Sequence, residues 1–137
     1  KITRVLGTSV MTAASTMPVL IVDDYNTMIR ILRNLLRQLG FTNIDEASDA
    51  RTALVKMRAK SYGLVISDSH MTPMSGVEFL RQVRADERMR DTPFVMIASD
   101  ADEGAEAQQQ EGASSFVVSP FTAQSLREKL QPVLGVF

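Results

Sequence analysis

The sequence predicts an α/β sandwich built on a parallel β-sheet, and two observations carry that prediction. Short apolar runs recur along the chain without polar alternation, as strands covered on both faces do. Between them lie segments whose apolar residues recur at spacings of three and four, as on the buried face of a helix. Parallel neighbours need crossover connections, and helices that supply them cover the two faces of the sheet.

Residues 1–16 hold scattered apolar residues among Ser, Thr and Ala, with no sustained period and no core long enough for a signal peptide. They read as a leader outside the fold, disordered or a remnant of expression, and one domain is expected over residues 17–137. Pro18 stands before the first predicted strand, Val19-Leu20-Ile21-Val22. The first crossover helix carries Met28, Ile31, Leu32, Leu35, Leu36 and Leu39, and Gly40 follows as its C-terminal cap. The stretch Asn43 to Ala47 is more polar and alternates, which suits an edge strand. Asp49 is placed to cap a second helix with Ala53, Leu54 and Met57 on its buried face. Leu64-Val65-Ile66 is the third strand, Val77, Leu80 and Val83 mark the third helix, and Phe94-Val95-Met96-Ile97 after Pro93 is the fourth strand. A fourth helix over Asp102 to Glu111 has only alanine on its apolar face, so little packing energy holds it. Phe116-Val117-Val118 is the fifth strand, and Leu126, Leu130 and Val133 mark the fifth helix.

A chain of 137 residues, 45% hydrophobic and 23% charged, belongs to the ordinary globular class and is long enough to bury a core without staples. Fifteen Lys and Arg against sixteen Asp and Glu leave a net charge of -1, so no field favours nucleic acid or an anionic membrane. The absence of cysteine removes disulfides, thiolate nucleophiles and zinc-finger or iron-sulfur ligation, and fits a reducing compartment. No apolar run is long enough to span a bilayer. A cytoplasmic protein is the expectation. The eight methionines mostly sit at core spacing and read as packing.

The acids carry the chemical information. Asp23 and Asp24 end the first strand and Asp68 ends the third. In open α/β sheets ligands bind beyond the carboxyl ends of the strands, where the strand order reverses, and these two strands are placed to flank that point. Carboxylates about 4 Å apart repel by roughly 4 kcal/mol at an effective dielectric near 20, so such a cluster protonates or binds a cation. Oxygen ligands alone favour a hard octahedral ion, magnesium or its substitute manganese. A phosphate-cradling loop, as in a flavin site, needs Gly with Ser or Thr here, and Asp23-Asp24-Tyr25-Asn26 offers negative charge instead. Asp68 is also a competent nucleophile toward a phosphoryl group whose oxygens are neutralised by a metal. An aspartate-nucleophile phosphatase uses the same chemistry but places a second acid two residues later, where this chain has His70.

With Val19-Leu20-Ile21-Val22-Asp23-Asp24, Val65-Ile66-Ser67-Asp68, the Met71, Met74 and Gly76 that follow, Gly112-Ala113-Ser114 and Val117-Val118-Ser119-Pro120-Phe121, the chain resembles a CheY-like response-regulator receiver domain over about residues 18–134. The resemblance implies a five-stranded parallel sheet of order 2-1-3-4-5 in a flavodoxin-like three-layer sandwich. It implies that Asp68 accepts a phosphoryl group from a sensor histidine kinase or phosphotransfer protein. Asp24, Asp68 and the backbone carbonyl of His70 would hold Mg2+ or Mn2+, with Asp23 acting through metal-bound water. It also implies an output protein docking on the face made by the fourth helix, fifth strand and fifth helix. Because the final helix ends close to Phe137, output is expected through protein contact, from a monomer or weak dimer, with no nucleic acid or membrane involved.

Four positions depart from the family pattern. Ala98 stands where such domains carry the Thr or Ser whose hydroxyl meets the phosphoryl group, and Ser119 stands where they carry Lys. Phe116 replaces the aromatic, often Tyr, that swings inward on activation, and reads as core. Ser99 is one residue from the missing hydroxyl, but side chains alternate across a strand. Lys129 lies too far along the chain to replace the missing ammonium. The proline after the acceptor is one position late, in Met71-Thr72-Pro73-Met74. His70 is the lone histidine and reads as exposed, and Arg30, Arg33 and Arg37 form a solvated stripe or a kinase-docking face on the first helix. A receiver with an altered switch is therefore the leading expectation. A pseudo-receiver, an interaction module that works without phosphorylation, is the alternative.

Overall fold

Four consecutive fully buried residues make the first strand, β1 (Val19–Val22), which lies inside the sheet rather than at its edge. The computed structural model describes residues 16–98, 112–135 and 137. After β1 come α1 (Asn26–Gln38), β2 (Ile44–Ala47), α2 (Ala50–Ala59), β3 (Leu64–Asp68), α3 (Gly76–Ala85), β4 (Phe94–Ala98), β5 (Ser115–Val118) and α4 (Ala123–Leu134). All four strand pairings are parallel, in the order β2-β1-β3-β4-β5. The predicted fourth helix and Ser99 lie outside the described residues, so α4 is the predicted fifth helix.

Alternation along the buried strands divides the core. Leu20, Val22, Val65 and Met96 face a layer that includes Leu54 and Met57 of α2 with Phe79, Leu80 and Val83 of α3. Val19, Ile21, Ile66, Val95 and Ile97 face the other layer, with Ile29, Leu32 and Leu36 of α1 and Leu126 and Leu130 of α4. This two-faced burial is why the strands read as unbroken apolar runs.

Local chemistry sets the helix ends. The Asp49 carboxylate accepts the Thr52 N–H at 2.7 Å, the cap expected there and worth about 1 kcal/mol. At the end of α1, Gly40 takes a φ of +105° while its N–H and that of Phe41 donate back to Arg37 and Leu36, a Schellman closure. Thr122 and Ser125 form a reciprocal capping box at the start of α4.

Two packing expectations are corrected. Ile31, placed on the buried face of the first helix, is exposed, and Ile29 is buried in its stead. Ile29, Leu32, Leu36 and Leu39 define the stripe, and at about 100° per residue Ile31 falls well to one side of its centre. The run Phe116-Val117-Val118, read as covered on both faces, buries only Val117 fully, because β5 is a sheet edge. Phe116 is accordingly half-buried, packed against the α2/α3 layer rather than enclosed by it. Among the described residues no helix is long and apolar enough to cross a membrane.

Candidate functional site

The chain leaves β1 to build β2 on one side and then returns to build β3 on the other, so the strand order reverses between β1 and β3. Val22 lies opposite Ser67 in their register, and the residues that follow emerge side by side at the carboxyl edge. Asp23, Asp24 and Asp68 meet there, each offering a carboxylate oxygen within 4.8 Å of the others. Asp23 is buried, Asp68 half-buried and Asp24 exposed.

Backbone N–H groups hold the two deeper acids in place. The Asp23 N–H donates to the Ala47 carbonyl at 3.2 Å, and its carboxylate accepts the Tyr25 N–H at 2.9 Å. Burial pushes the Asp23 carboxyl up to about 6, the Tyr25 N–H opposes the rise, and the charges of Asp68 and Asp24 add to it. Asp68 is also raised by burial; the N–H of His70 works against this and the charge of Asp24 with it. Three crowded carboxylates, two of them displaced toward protonation, carry a mutual repulsion that a bound cation would relieve. The oxygen-only donor set fits a hard divalent ion.

The loop after Asp68 is closed tightly onto the sheet. Ser69 donates its N–H to Ile97 O at 3.0 Å, and its own carbonyl accepts the Gly76 N–H at 3.0 Å. A Cβ on Gly76 would collide with the Asp68 carbonyl and stand 2.8 Å from Ser69 Cα and 2.9 Å from Met96 Sδ. The missing side chain is what lets the start of α3, capped by Ser75, sit against Asp68. Within the loop the Thr72–Pro73 peptide is cis.

The other residues singled out by sequence fall around this edge. His70 is exposed on the loop, two residues beyond Asp68. Ile97 is level with Asp68, so Ala98, the fully buried last residue of β4, stands one step beyond the level of Asp68. Ser119 follows β5, half-buried, and its N–H donates to Ala98 O at 2.8 Å. Phe116 lies further back along β5. Lys129 is exposed on α4. Sequence reasoning missed the contribution of Gly76 and the backbone donors to the acids. An Asp two residues ahead of Tyr25 is a turn signal that points to the first of those donors.

A doubly wound parallel sheet with three carboxylates at its reversal point defines a class of protein: an α/β module with an acidic cluster that could hold a cation at the carboxyl edge of its sheet. The response regulator receiver domain model matches residues 19–131, and the chain belongs to that family. The chemotaxis protein CheY of Pseudomonas aeruginosa is 46% identical over 119 residues, 85% of this chain and 95% of the relative. CheY-3 of Vibrio cholerae is 43% identical over 119 residues, 85% of this chain and 91% of the relative. Among solved structures, Vibrio cholerae CheY4 superposes with a TM-score of 0.78 at 31% identity, covering 87% of this chain and all of its own. The receiver domain of a Pseudomonas aeruginosa sensor histidine kinase, solved with magnesium coordinated in its active-site cleft, superposes at 0.79 and 23% identity over 88% of this chain and 98% of its own. Receiver domains of this kind are signalling modules with an acidic Mg2+ site, and they interact with histidine kinases and other signalling proteins.

Proposed function

We propose that this chain is a response-regulator receiver in which Asp68 accepts a phosphoryl group from a sensor histidine kinase or a phosphotransfer protein. The observation that carries this reading is the convergence of Asp23, Asp24 and Asp68 within 4.8 Å at the reversal point of the sheet. A carboxylate oxygen of Asp68 attacks phosphorus, the bond from phosphorus to the donor's imidazole nitrogen breaks, and that nitrogen takes up a proton. The product is an acyl phosphate, and attack by water returns the carboxylate and inorganic phosphate. Asp24, Asp68 and the His70 carbonyl would hold Mg2+ or Mn2+ directly and Asp23 through water. Such an ion, when bound, would neutralise charge on the transferring oxygens. The backbone N–H groups around Asp23 and Asp68 keep both carboxylates aimed before any ion arrives.

Ala98 and Ser119 make the switch atypical. Neither the hydroxyl nor the ammonium of the family pattern stands at these positions, and a hydrogen bond from either group to a phosphoryl oxygen is worth about 1.5–3 kcal/mol. These two residues also favour a second reading, a module that binds its partner whatever the state of Asp68. In both readings the output partner docks on the side of the fold that carries β5 and α4.

Incubation with acetyl phosphate and magnesium is expected to add one phosphoryl group, seen by intact mass, and D68N is expected to add none. No mass change in the unsubstituted protein at saturating donor overturns the phosphoacceptor reading. If D68N leaves partner binding untouched while the unsubstituted protein is phosphorylated, the second reading holds.

A further inference from the structure

An open groove of about 410 Å³ runs between α2 and α3, away from the β5/α4 side. It is lined by Arg51, Leu54, Val55 and Arg58 of α2, by Met74 and by Gln82 of α3, with Leu54 buried and Met74 half-buried. Val55 is 63% exposed, a large apolar side chain with nothing over it. Among the described residues neither Arg51 nor Arg58 forms an ion pair within 4.0 Å, and the charge of Arg51 reaches only the helix cap Asp49, as the last and smallest of the causes that lower the Asp49 pKa. They stand seven residues apart on one face of α2, about 10.5 Å along its axis, with Leu54 and Val55 between them. Among the described residues no carboxylate lines the groove.

A second open groove, between β5 and α4, is lined by both Glu128 and Lys129 and so selects no sign of charge. On α1, Arg33 already pairs with Glu46. Of these surfaces, the α2/α3 groove is the one that combines an exposed apolar side chain, Val55, with charge of one sign at a helical spacing.

We infer that the α2/α3 groove is a docking site for an acidic amphipathic peptide helix, whose apolar face covers Val55 and Met74 while two carboxylates meet Arg51 and Arg58. A helix is the matching occupant because its own residues seven apart share a face and span the same distance as the two arginines. Apolar anchors flanked by complementary charge are the usual terms of helix-in-groove recognition. This surface goes beyond the phosphoacceptor reading and does not depend on it.

The test uses the full, unphosphorylated chain labelled with 15N and a synthetic alanine-based helix with Glu at positions i and i+7 and Leu at i+3 and i+4. Backbone shifts are expected to concentrate in α2, at Met74 and along α3 as far as Gln82. The double substitution R51E/R58E, at exposed positions that leave the core intact, is expected to weaken binding about tenfold or more. A peptide with Lys in place of both Glu is expected not to bind. Shifts that map elsewhere, equal binding of the Lys peptide, equal binding to R51E/R58E, or no shift up to about 1 mM peptide each overturn the assignment.

Discussion

Asp23 is buried between two other carboxylates, and the cost of that arrangement falls on the metal-free fold. Asn at this position keeps the oxygen that accepts the Tyr25 N–H while removing one of three crowded charges. D23N is therefore expected to stabilise the metal-free protein at neutral pH by about 1–3 kcal/mol and to shrink the gain in Tm that magnesium confers on the unsubstituted chain. Thermal unfolding with and without magnesium checks both, and a variant less stable than its parent without metal would show that the cluster is not under electrostatic strain. A different pair sets a pH dependence far from this site. The Tyr62 hydroxyl donates to Asp45 at 2.6 Å and Lys60 lies 3.0 Å from the same oxygen, and together they hold the Asp45 carboxyl below the ordinary carboxylate range. A depressed pKa contributes stability that is fully present above the ordinary value of 3.8 and is lost as pH falls through the folded-state value. Seen from the other partner, burial and then Asp45 push the Tyr62 phenol up. Y62F is expected to lose about 1 kcal/mol at neutral pH, screened in part because Asp45 is partly exposed, and its deficit is expected to narrow in acid below that point. Paired melts across pH decide it.

At the scale of elements, the loop between β3 and α3 turns a strand end into a site, and Gly76 is its constraint. G76A puts a Cβ against the Asp68 carbonyl and Ser69 Cα, both backbone, so the start of α3 must back away. The expected loss is about 1–3 kcal/mol of stability, together with weaker magnesium binding, because the Asp68 carboxylate moves with the loop. Calorimetric titration checks the second, and unchanged affinity in a destabilised variant would separate loop packing from metal geometry. The sequence revealed elements where one signal dominated. Asp49 as a cap and Gly40 as a left-handed stop were readable because each acts within a few residues of itself. Ile31 and the fifth strand were misjudged because burial there depends on a partner surface: the axis about which α1 turns toward the sheet, and the fact that nothing pairs with the outer side of β5 among the described residues. Arg84 shows the same limit. Its guanidinium donates to the carbonyls of Gly112, Arg90 and Thr92, tying the end of α3 to the segments that lead into β4 and β5, and no periodicity announces a contact made across 28 residues.

For the molecule as a whole, the position of the acid cluster was legible because it follows from topology. Acids that end β1 and β3 must converge once those strands are neighbours, whatever the intervening helices do. What the strand order leaves open is how that edge answers a phosphoryl group, since the answer rests on single atoms at the ends of β4 and β5. The register puts Ala98 one step beyond the level of Asp68, and the Ser119 N–H binds its carbonyl, so both positions border the edge that carries the acid cluster. Installing the family residues there is the direct test of what their absence does. A98T restores a hydroxyl on a β-branched residue suited to a strand, at a fully buried position where two added heavy atoms cost about 1–3 kcal/mol if the edge cannot open. S119K adds an ammonium on a flexible stem at a half-buried position, where its charge has room to reach the edge. If the missing groups limit the switch, the double variant A98T/S119K should hold more phosphoryl group on Asp68 at a given acetyl phosphate concentration, with the ratio of modified to unmodified protein raised about tenfold for even one charge-assisted bond regained. Intact-mass occupancy over time reads both uptake and lifetime, and a melting curve shows that the variant is folded. Occupancy and lifetime unchanged in a folded double variant would mean that Ala98 and Ser119 do not limit phosphorylation, and that the chain meets the phosphoryl group with other residues of the same edge.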